Sequence, residues 1–244
     1  MGSRKRKMPH GRPRARRKRA CRYLVVCNGE VTEKQYFEYL NSLNSKYSVS
    51  IRALKKDPKT LAQIAEELRK RDKRECSAPE GKSDPFKNVF VVTDVDLYLP
   101  ASFLEAKRIC KQAGISLIIS NPCFEVWLID HIQCCPMTVV EAEDAKDRAK
   151  ELGLTHGERN KKIRLERIDG KSDTAIANAN SHMDDYNRAL KREHLDSLGF
   201  APWTDMPEVI ETLKKNMSLM PIAVNCISSA SLCLPIMTDV LSLG

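Results

Sequence analysis

The sequence predicts an α/β fold in which a parallel sheet of about four strands is flanked by helices and followed by a helical C-terminal part. Two observations lead to this prediction. Short runs that are apolar at every position, rather than at alternate positions, are typical of strands buried on both faces of a sheet. Segments with helical periodicity separate these runs, and this alternation is typical of parallel sheets. The chain of 244 residues is long enough to bury such a core.

The first two strands are predicted at residues 23–27 and 49–53. The first run is continuously apolar and ends at an Asn-Gly pair, which is typical of a turn. The second run alternates between apolar and polar residues, so we expect it at an edge of the sheet. A capping-box pattern at Thr32 and Gln35 predicts the start of the helix that lies between these strands.

Two further strands are predicted at residues 89–92 and 115–119, which are again rich in apolar residues. Gly114 predicts the end of the helix between them. Capping-box patterns predict the starts of two helices, and these patterns are Thr60 with Gln63 and Ser102 with Glu105. The rest of the chain is predicted to be mainly helical, with helices over residues 123–133, 138–152, about 172–197 and about 207–215.

This succession of elements restricts the order of the strands in the sheet. Connections between parallel strands are right-handed, which leaves few topologies. With the alternating strand at an edge, the simplest arrangement is the flavodoxin-like order 2-1-3-4. The first and third strands are then neighbours at the topological switch point, where ligands bind beyond the carboxyl ends of the strands.

Acidic residues follow three of the four predicted strands. They are Glu30 and Glu33 after the first strand, Asp94 and Asp96 after the third, and Glu125 after the fourth. Carboxylates that lie together repel one another unless a cation is present, and oxygen ligands favour Mg²⁺ or Mn²⁺ over zinc. Such a metal commonly polarises a phosphoryl oxygen and orients a nucleophile. Each acid taken singly also has a structural interpretation, as a turn residue or a partner of a helix dipole.

The positive charge is concentrated at the start of the chain. The chain has 41 Lys and Arg against 32 Asp and Glu, a formal net charge of +9, but residues 1–29 alone hold eleven of these cations and no acid. We therefore predict a basic flexible tail over residues 1–20, before a mildly acidic single α/β domain over residues 21–215. The tail has two interpretations, as a solubilising segment or as an arm on nucleic-acid phosphates, and the residues that would make those contacts are Arg14, Arg16, Arg17, Lys18 and Arg19. A second basic stretch over 158–171 would supply phosphate contacts or form a solvated helix face.

The cysteines and the C-terminal segment bear on the cellular compartment. Nine cysteines without a Cys-x-x-Cys pair disfavour zinc and disulfides, and the lack of an apolar stretch after the basic start disfavours a secretory signal, so a cytoplasmic location is predicted. The run from Asn216 to Thr238 contains 23 uncharged residues, but its prolines and serines disfavour a membrane span. We expect no membrane partner, and we predict that residues 216–244 form a largely uncharged C-terminal extension.

Three segments of the sequence resemble the RloB-like proteins. Residues 24–37 (LVVCNGEVTEKQYF) are similar to the opening strand and acidic loop of that family, residues 91–96 (VVTDVD) to its Asp-x-Asp strand, and residues 120–131 (SNPCFEVWLIDH) to its most distinctive motif. Ala175 and Ala179 resemble a later Ala-rich helix. The resemblance extends over roughly residues 21–215.

The resemblance implies a Toprim-like domain and a prokaryotic defence or restriction-associated setting. It implies that Asp94 and Asp96 bind Mg²⁺ and that a Glu after the first strand performs acid–base chemistry. The family's first Glu in this loop is Asn28 here, and an amide cannot act as a general base near neutral pH. Glu30 or Glu33 must then perform the proton transfer, or the site is degenerate.

These observations lead to two main hypotheses about function. The first is a Mg²⁺- or Mn²⁺-dependent phosphodiesterase, most simply a nuclease, with Asp94, Asp96 and Glu30 at the metal and with Glu30, Glu33 and Glu125 as catalytic candidates. The second is a catalytically degenerate component of a defence system that binds nucleic acid or a partner protein. A nucleotide-processing enzyme is a third, less favoured hypothesis, because the chain has neither a P-loop nor a dinucleotide-binding fingerprint.

Glu125 and the helix that follows it leave further alternatives open. Glu125 is interpreted either as a helix-dipole acid or as an additional metal-binding or water-positioning acid. Trp127 and His131 are four residues apart and therefore lie on one helical face. We expect His131 to pack over Trp127 and to form a hydrogen bond with a neighbour, and the alternative is a phosphate contact or a proton shuttle.

Overall fold

The computed structural model describes residues 20–43, 45–80, 83–95, 98–182, 186, 190 and 200–218, with the side chains of 216–218 excepted. Strands and helices alternate in the first half of this part of the chain, and mainly helices follow. The elements in chain order are β1 (Cys21–Cys27), α1 (Thr32–Ser42), β2 (Tyr47–Ala53), α2 (Pro58–Ser77), β3 (Asn88–Asp94), α3 (Pro100–Ala113), β4 (Ser116–Asn121), α4 (Glu125–Asp130), α5 (Ala142–Glu151), β5 (Thr155–His156), a 3₁₀ turn (Glu158–Asn160), β6 (Lys162–Ile163), α6 (Leu165–Ile168), α7 (Ser172–Asn180), β7 (Trp203–Thr204) and α8 (Met206–Ser218).

The main sheet has the strand order β2-β1-β3-β4-β7. The first four strands are parallel and follow the predicted order, with β2 at an edge. The prediction of about four strands is corrected by β7, which pairs antiparallel with β4 through Ser120 and Thr204. Only two residues belong to β7, so it produces no apolar run that a sequence pattern could reveal.

Helices cover both faces of the sheet, as the continuously apolar strands predicted. On one face Tyr23, Val25 and Cys27 of β1 pack in a core that also receives side chains from α1, α4, α5, α7 and α8. On the other face Leu24 and Val26 pack against α2 and α3. Each strand residue therefore alternates between two cores, because successive side chains of a strand point to opposite faces.

The three predicted capping boxes are wrong, because their polar side chains bind other parts of the protein. At the start of α1, Val31 precedes the helix without a side-chain cap, and Thr32 and Gln35 bind the backbone of the segment around β6 instead. A reciprocal capping box does occur at α5, where Glu141 pairs with Asp144. The predicted end of α3 is confirmed, since Gly114 has φ 65°, a conformation that glycine adopts readily.

Asp57 links the two helices on one face of the sheet. Its side chain caps α2 by accepting a hydrogen bond from the Thr60 amide at 3.2 Å, and it also accepts one from the Ser102 hydroxyl of α3 at 2.8 Å. Burial alone would raise the pKa of Asp57, but the hydrogen bonds from Thr60 and Ser102 lower it below its ordinary value. The predicted caps Thr60 and Ser102 are thus donors to the residue that performs the capping.

The helical C-terminal part is confirmed in outline, but it is interrupted. The predicted helix over 123–133 is restricted to α4, that over 138–152 to α5, and that over 207–215 is longer at both ends. A two-stranded sheet of β5 and β6 lies between α5 and α7 and was not predicted. Most of the segment from 183 to 199, where the prediction continued α7, lies outside the described residues.

A buried Asp–His pair joins α4 to the residues that follow α7. His182 Nε2 lies 2.7 Å from Asp130 Oδ1, and both side chains are fully buried. The Cys135 amide donates to the same oxygen at 3.1 Å, and the Asn178 side chain donates to the Asp130 carbonyl at 2.7 Å. Burial raises the pKa of Asp130 to about 6, although the bond to His182 opposes this rise.

Two predicted regions fall mainly beyond the described residues. Residues 1–19 contain the basic cluster from Arg14 to Arg19, and residues 219–244 contain most of the predicted C-terminal extension. In the part of the chain that the structure describes, none of the helices combines the length and the apolar character needed to cross a bilayer.

We predict that Asp57→Ala lowers the free energy of unfolding by about 1–2 kcal/mol, because it removes the cap of α2 and the acceptor of Ser102. Chemical denaturation of the variant measures this loss. Glu66→Ala is the matched control, since Glu66 lies on the same helix and, among the described residues, forms an ion pair only with Lys70, worth roughly 0.3–0.5 kcal/mol. Equal effects of the two substitutions would contradict the capping role.

We predict that His182→Ala lowers the free energy of unfolding by about 3–5 kcal/mol, because it leaves the Asp130 carboxyl buried without its principal partner. Denaturant unfolding of His182→Ala, of Asp130→Asn and of the double variant gives a thermodynamic cycle. The two effects should be strongly non-additive, since asparagine removes the charge that requires a partner. Additive effects would show that the two side chains do not stabilise each other.

Candidate active site

The strands β1, β3 and β4 are parallel, so the three loops that follow them lie along the border of the main sheet where these strands end. We call this border the carboxyl edge of the sheet. In the register, Cys27 lies opposite Val92 and Asp94 lies opposite Ser120. Asp94 is the last residue of β3, and the other described acids lie in the loop or in the first helical turn that follows β1 and β4. The edge is therefore the place where the predicted acids would meet.

Asn28 is the first residue after β1 and has an unusual environment. Its backbone amide donates to the Val92 carbonyl at 3.3 Å, which extends the pairing of β1 with β3 beyond the strand. Its side-chain Oδ1 is buried without a hydrogen-bond partner among the described residues. A buried amide oxygen without a partner is costly, and the same oxygen is a suitable ligand for a hard cation.

Glu33 lies against the backbone of Gly29. Its carboxylate occupies the space that a Cβ atom would take on Gly29, and the residue is only 4% exposed. A side chain at position 29 would therefore displace the Glu33 carboxylate. Glu33 also lies in the first turn of α1, where the helix dipole favours a negative charge. Glu30, in contrast, is exposed.

Two buried thiols, those of Cys27 and Cys123, lie near the acidic residues of this edge. Burial raises the pKa of Cys27 well above its ordinary value, and the charges of Glu33 and Asp94 raise it further. Burial also raises the pKa of Cys123, and Glu125 and Asp94 add to the rise. Asp94 is thus close enough to influence both thiols, and the loops after β1, β3 and β4 share one negative environment. We call Glu33, Asp94 and Glu125 the acidic edge.

Glu125 begins α4 and is 8% exposed. A cation that the sequence did not suggest lies near it, namely Lys146 of α5. Burial would lower the pKa of Lys146, but its hydrogen bond and ion pair with Glu143 and the nearby Cys123 and Glu125 raise it. Lys146 Nζ lies 3.1 Å from Glu143 Oε2. No local pattern could have revealed Lys146, because it approaches the acidic edge only through the packing of α5 on α4.

The described residues of the site suit a magnesium-type cation in their chemistry, but they do not by themselves form a complete ligand set. Among the described residues, no three His, Cys, Asp or Glu side chains converge closely enough to hold an ion. Asp96 lies outside those residues, so the predicted set of Asp94, Asp96 and Glu30 is described only in part. The donors that are described are hard oxygens, including the buried Asn28 Oδ1, and such donors favour Mg²⁺ or Mn²⁺.

The expected packing of His131 on Trp127 is confirmed. The two ring centroids are 4.8 Å apart, and His131 Nδ1 lies 2.9 Å from the Trp127 carbonyl oxygen. Since a carbonyl only accepts, Nδ1 carries the proton. Burial lowers the pKa of His131 to about 4, so the ring is neutral near pH 7. This environment favours the structural role over the proton shuttle.

The comparisons with known proteins identify one family. The family model for RloB-like protein matches residues 23–213, which includes most of β1, the acidic edge and α8 as far as Leu213. No curated protein matches the chain, and no solved structure matches it. The match extends over most of the chain and contains all three of the motifs that suggested the resemblance, and the chain therefore belongs to the RloB-like family.

Proposed function

We propose that this chain is a Mg²⁺- or Mn²⁺-dependent phosphodiesterase that acts on nucleic acid and has a Toprim-like fold. One observation carries the proposal most directly. Asp94 ends β3, and Glu33, in the first turn of the helix that follows the neighbouring strand β1, has its carboxylate against Gly29. The charges of both raise the pKa of the same buried thiol, Cys27. Two carboxylates at the switch point of a parallel sheet are a suitable arrangement for metal-assisted phosphoryl chemistry.

Each residue of the site has a distinct role in this proposal. Asp94 and Asp96 bind the metal, as the family resemblance implies, and Asn28 Oδ1 is an additional oxygen donor. The bound metal would polarise a phosphoryl oxygen of the substrate. Glu33 accepts the proton of the attacking water, because it is the buried acid of the segment that follows β1. The exposed Glu30 completes the metal site, or Glu30 acts as the base while Glu33 binds the metal.

Glu125 and Lys146 form the opposite wall of the acidic edge in this proposal. Glu125 orients a water molecule or adds a further oxygen ligand. Lys146 limits the repulsion between Glu125 and Asp94, since a nearby cation stabilises the ionised form of a carboxylate.

The cellular setting follows from the family resemblance and from the chemistry of the chain. We propose a prokaryotic defence or restriction-associated role in the cytoplasm, with a partner protein of the same system. The described cysteines are free thiols, which suits a reducing compartment. The basic cluster of the N-terminal tail, from Arg14 to Arg19, would add contacts with nucleic-acid phosphates.

A second candidate function is favoured by one residue. Asn28 occupies the position where the RloB-like proteins usually have a Glu, and an amide cannot act as a base there. On this reading the chain is a degenerate member that binds nucleic acid or a partner protein without cleaving it. It would still bind polyanions through its basic segments.

We predict that Glu33→Gln lowers the rate of metal-dependent nucleic-acid cleavage by about 10²–10⁴-fold, because it removes the proposed general base. Asp94→Asn should abolish cleavage at low metal concentration and recover in part as Mg²⁺ or Mn²⁺ is raised. Glu38→Gln is the matched control, since Glu38 is exposed on the same helix as Glu33. The measurement is cleavage of labelled DNA and RNA over a titration of each metal. Cleavage that is unchanged in both site variants would refute the proposed catalytic residues.

The Asn28→Glu variant separates the two candidate functions. If the chain is degenerate, the unmodified protein binds nucleic acid without cleaving it, and restoring the carboxylate creates or greatly increases metal-dependent cleavage. Deleting residues 1–20 should then weaken binding and reduce its dependence on salt. Efficient cleavage by the unmodified protein would contradict the degenerate reading.

A further inference from the structure

A small hairpin is attached to the same helical turn that carries Glu33. The hairpin comprises residues 155–163, in which β5 and β6 pair antiparallel. The Thr32 hydroxyl donates to the Lys161 carbonyl at 3.0 Å. Gln35 accepts from the Ile163 amide at 2.8 Å and donates to the Ile163 carbonyl at 3.3 Å. Because Glu33 lies between Thr32 and Gln35 in α1, the hairpin stands beside the acidic edge.

The base of the hairpin is fixed in the main core. Ile163 is 2% exposed and Leu154 is fully buried, and both belong to the core on the α1 face. The Arg164 amide donates to the Leu154 carbonyl at 2.8 Å. A loop that is anchored on both sides in this way presents its tip in a defined position.

The backbone at the tip of the hairpin adopts a conformation that is unfavourable for one of its residues, Arg159. Gly157 has φ 74°, and the two following non-glycine residues with positive φ are Arg159 at 53° and Asn160 at 52°. Glycine and asparagine adopt this left-handed region readily, whereas arginine does so at a cost. The cost of this conformation at Arg159 motivates the hypothesis that its side chain serves a purpose other than stability.

The hairpin also carries cations that the rest of the described protein leaves uncompensated. Arg159, Lys161 and Lys162 of the hairpin, and the adjoining Arg164, are exposed, and no ion pair within the described residues involves any of them. Many cations on the helices do have acidic partners, such as Lys70 with Glu66. The positive charge of the hairpin is therefore available to an external anion.

We propose that the hairpin at 155–163 binds the phosphates of a nucleic acid next to the acidic edge. This inference rests on the proposed function, in which the acidic edge acts on a phosphodiester. An edge lined by carboxylates repels the flanking phosphates of such a substrate, and a metal ion would neutralise charge only at its own site. A fixed cluster of cations beside Glu33 offsets this repulsion and sets the path of the strand across the site.

The test is the salt dependence of nucleic-acid binding by the full chain in the absence of divalent metal. The hairpin variant combines Arg159→Gln, Lys161→Gln and Lys162→Gln. The control variant combines Lys73→Gln, Arg74→Gln and Lys111→Gln. These residues are also exposed but lie near the C-terminal ends of α2 and α3, at the end of the sheet where the parallel strands begin. Binding of a labelled DNA duplex is measured between about 50 and 200 mM salt.

For the hairpin variant we expect weaker binding and a salt slope that is reduced by roughly 0.9 for each phosphate contact removed, a total of about 2 to 3. For the control variant we expect a slope close to that of the unmodified chain. Equal slopes for all three proteins, or an equal reduction in both variants, would overturn the proposal. This measurement requires no cleavage. Phosphate binding by the hairpin can therefore be confirmed even if the phosphodiesterase proposal fails, and it can be refuted even if cleavage is observed.

A single variant separates the binding role from a structural role. Arg159→Asn places a residue that tolerates the left-handed conformation at the tip. We expect the melting temperature to stay equal or to rise while the affinity for DNA falls. A fall in melting temperature with unchanged affinity would show that Arg159 serves the fold and would overturn its assignment to the phosphate site.

Discussion

The parallel pairing of β1 with β3 is the constraint on which the site depends. These two strands are consecutive neighbours in the sheet although α1, β2 and α2 separate them in the chain. Because parallel strands end at the same edge, the pairing brings Asn28 and Asp94 together from opposite ends of a long stretch of sequence. The hydrogen bond from the Asn28 amide to the Val92 carbonyl continues this pairing into the loop. The sheet therefore fixes where the loop after β1 begins.

Much of the fold could be predicted because strands buried on both faces leave a continuous apolar signal. The parts that escaped prediction have specific reasons. Strands of two residues, such as β7, are too short to produce a pattern. Thr32 and Gln35 matched a helix cap, but the tertiary structure uses them to bind a hairpin that lies far along the chain. The pair of Asp130 and His182 is likewise invisible locally, since fifty-two residues separate its members.

The positions of the acidic residues of the candidate site could be predicted from the sequence, whereas those of its basic residues could not. Carboxylates that follow strands have a recognisable position in the sequence, so Glu33, Asp94 and Glu125 could be assigned to one edge from the sequence alone. Lys146 and the hairpin reach that edge only through packing and through side-chain bonds to α1. For the basic stretch beginning at residue 158, the sequence could not distinguish phosphate contacts from a solvated helix face. The reason is that exposure and pairing of charges are properties of the folded chain.

The contact between Glu33 and Gly29 limits which residues position 29 can hold without moving the acid. Gly29 does not adopt the left-handed conformation, so its backbone would accept any residue, and the restriction comes only from the carboxylate that lies upon it. An alanine at position 29 would be relieved most easily by rotation of the Glu33 carboxylate, with little effect on the core. Positions 29 and 33 are therefore coupled in this chain: a larger residue at the first would move the acid at the second while the fold around them stayed intact.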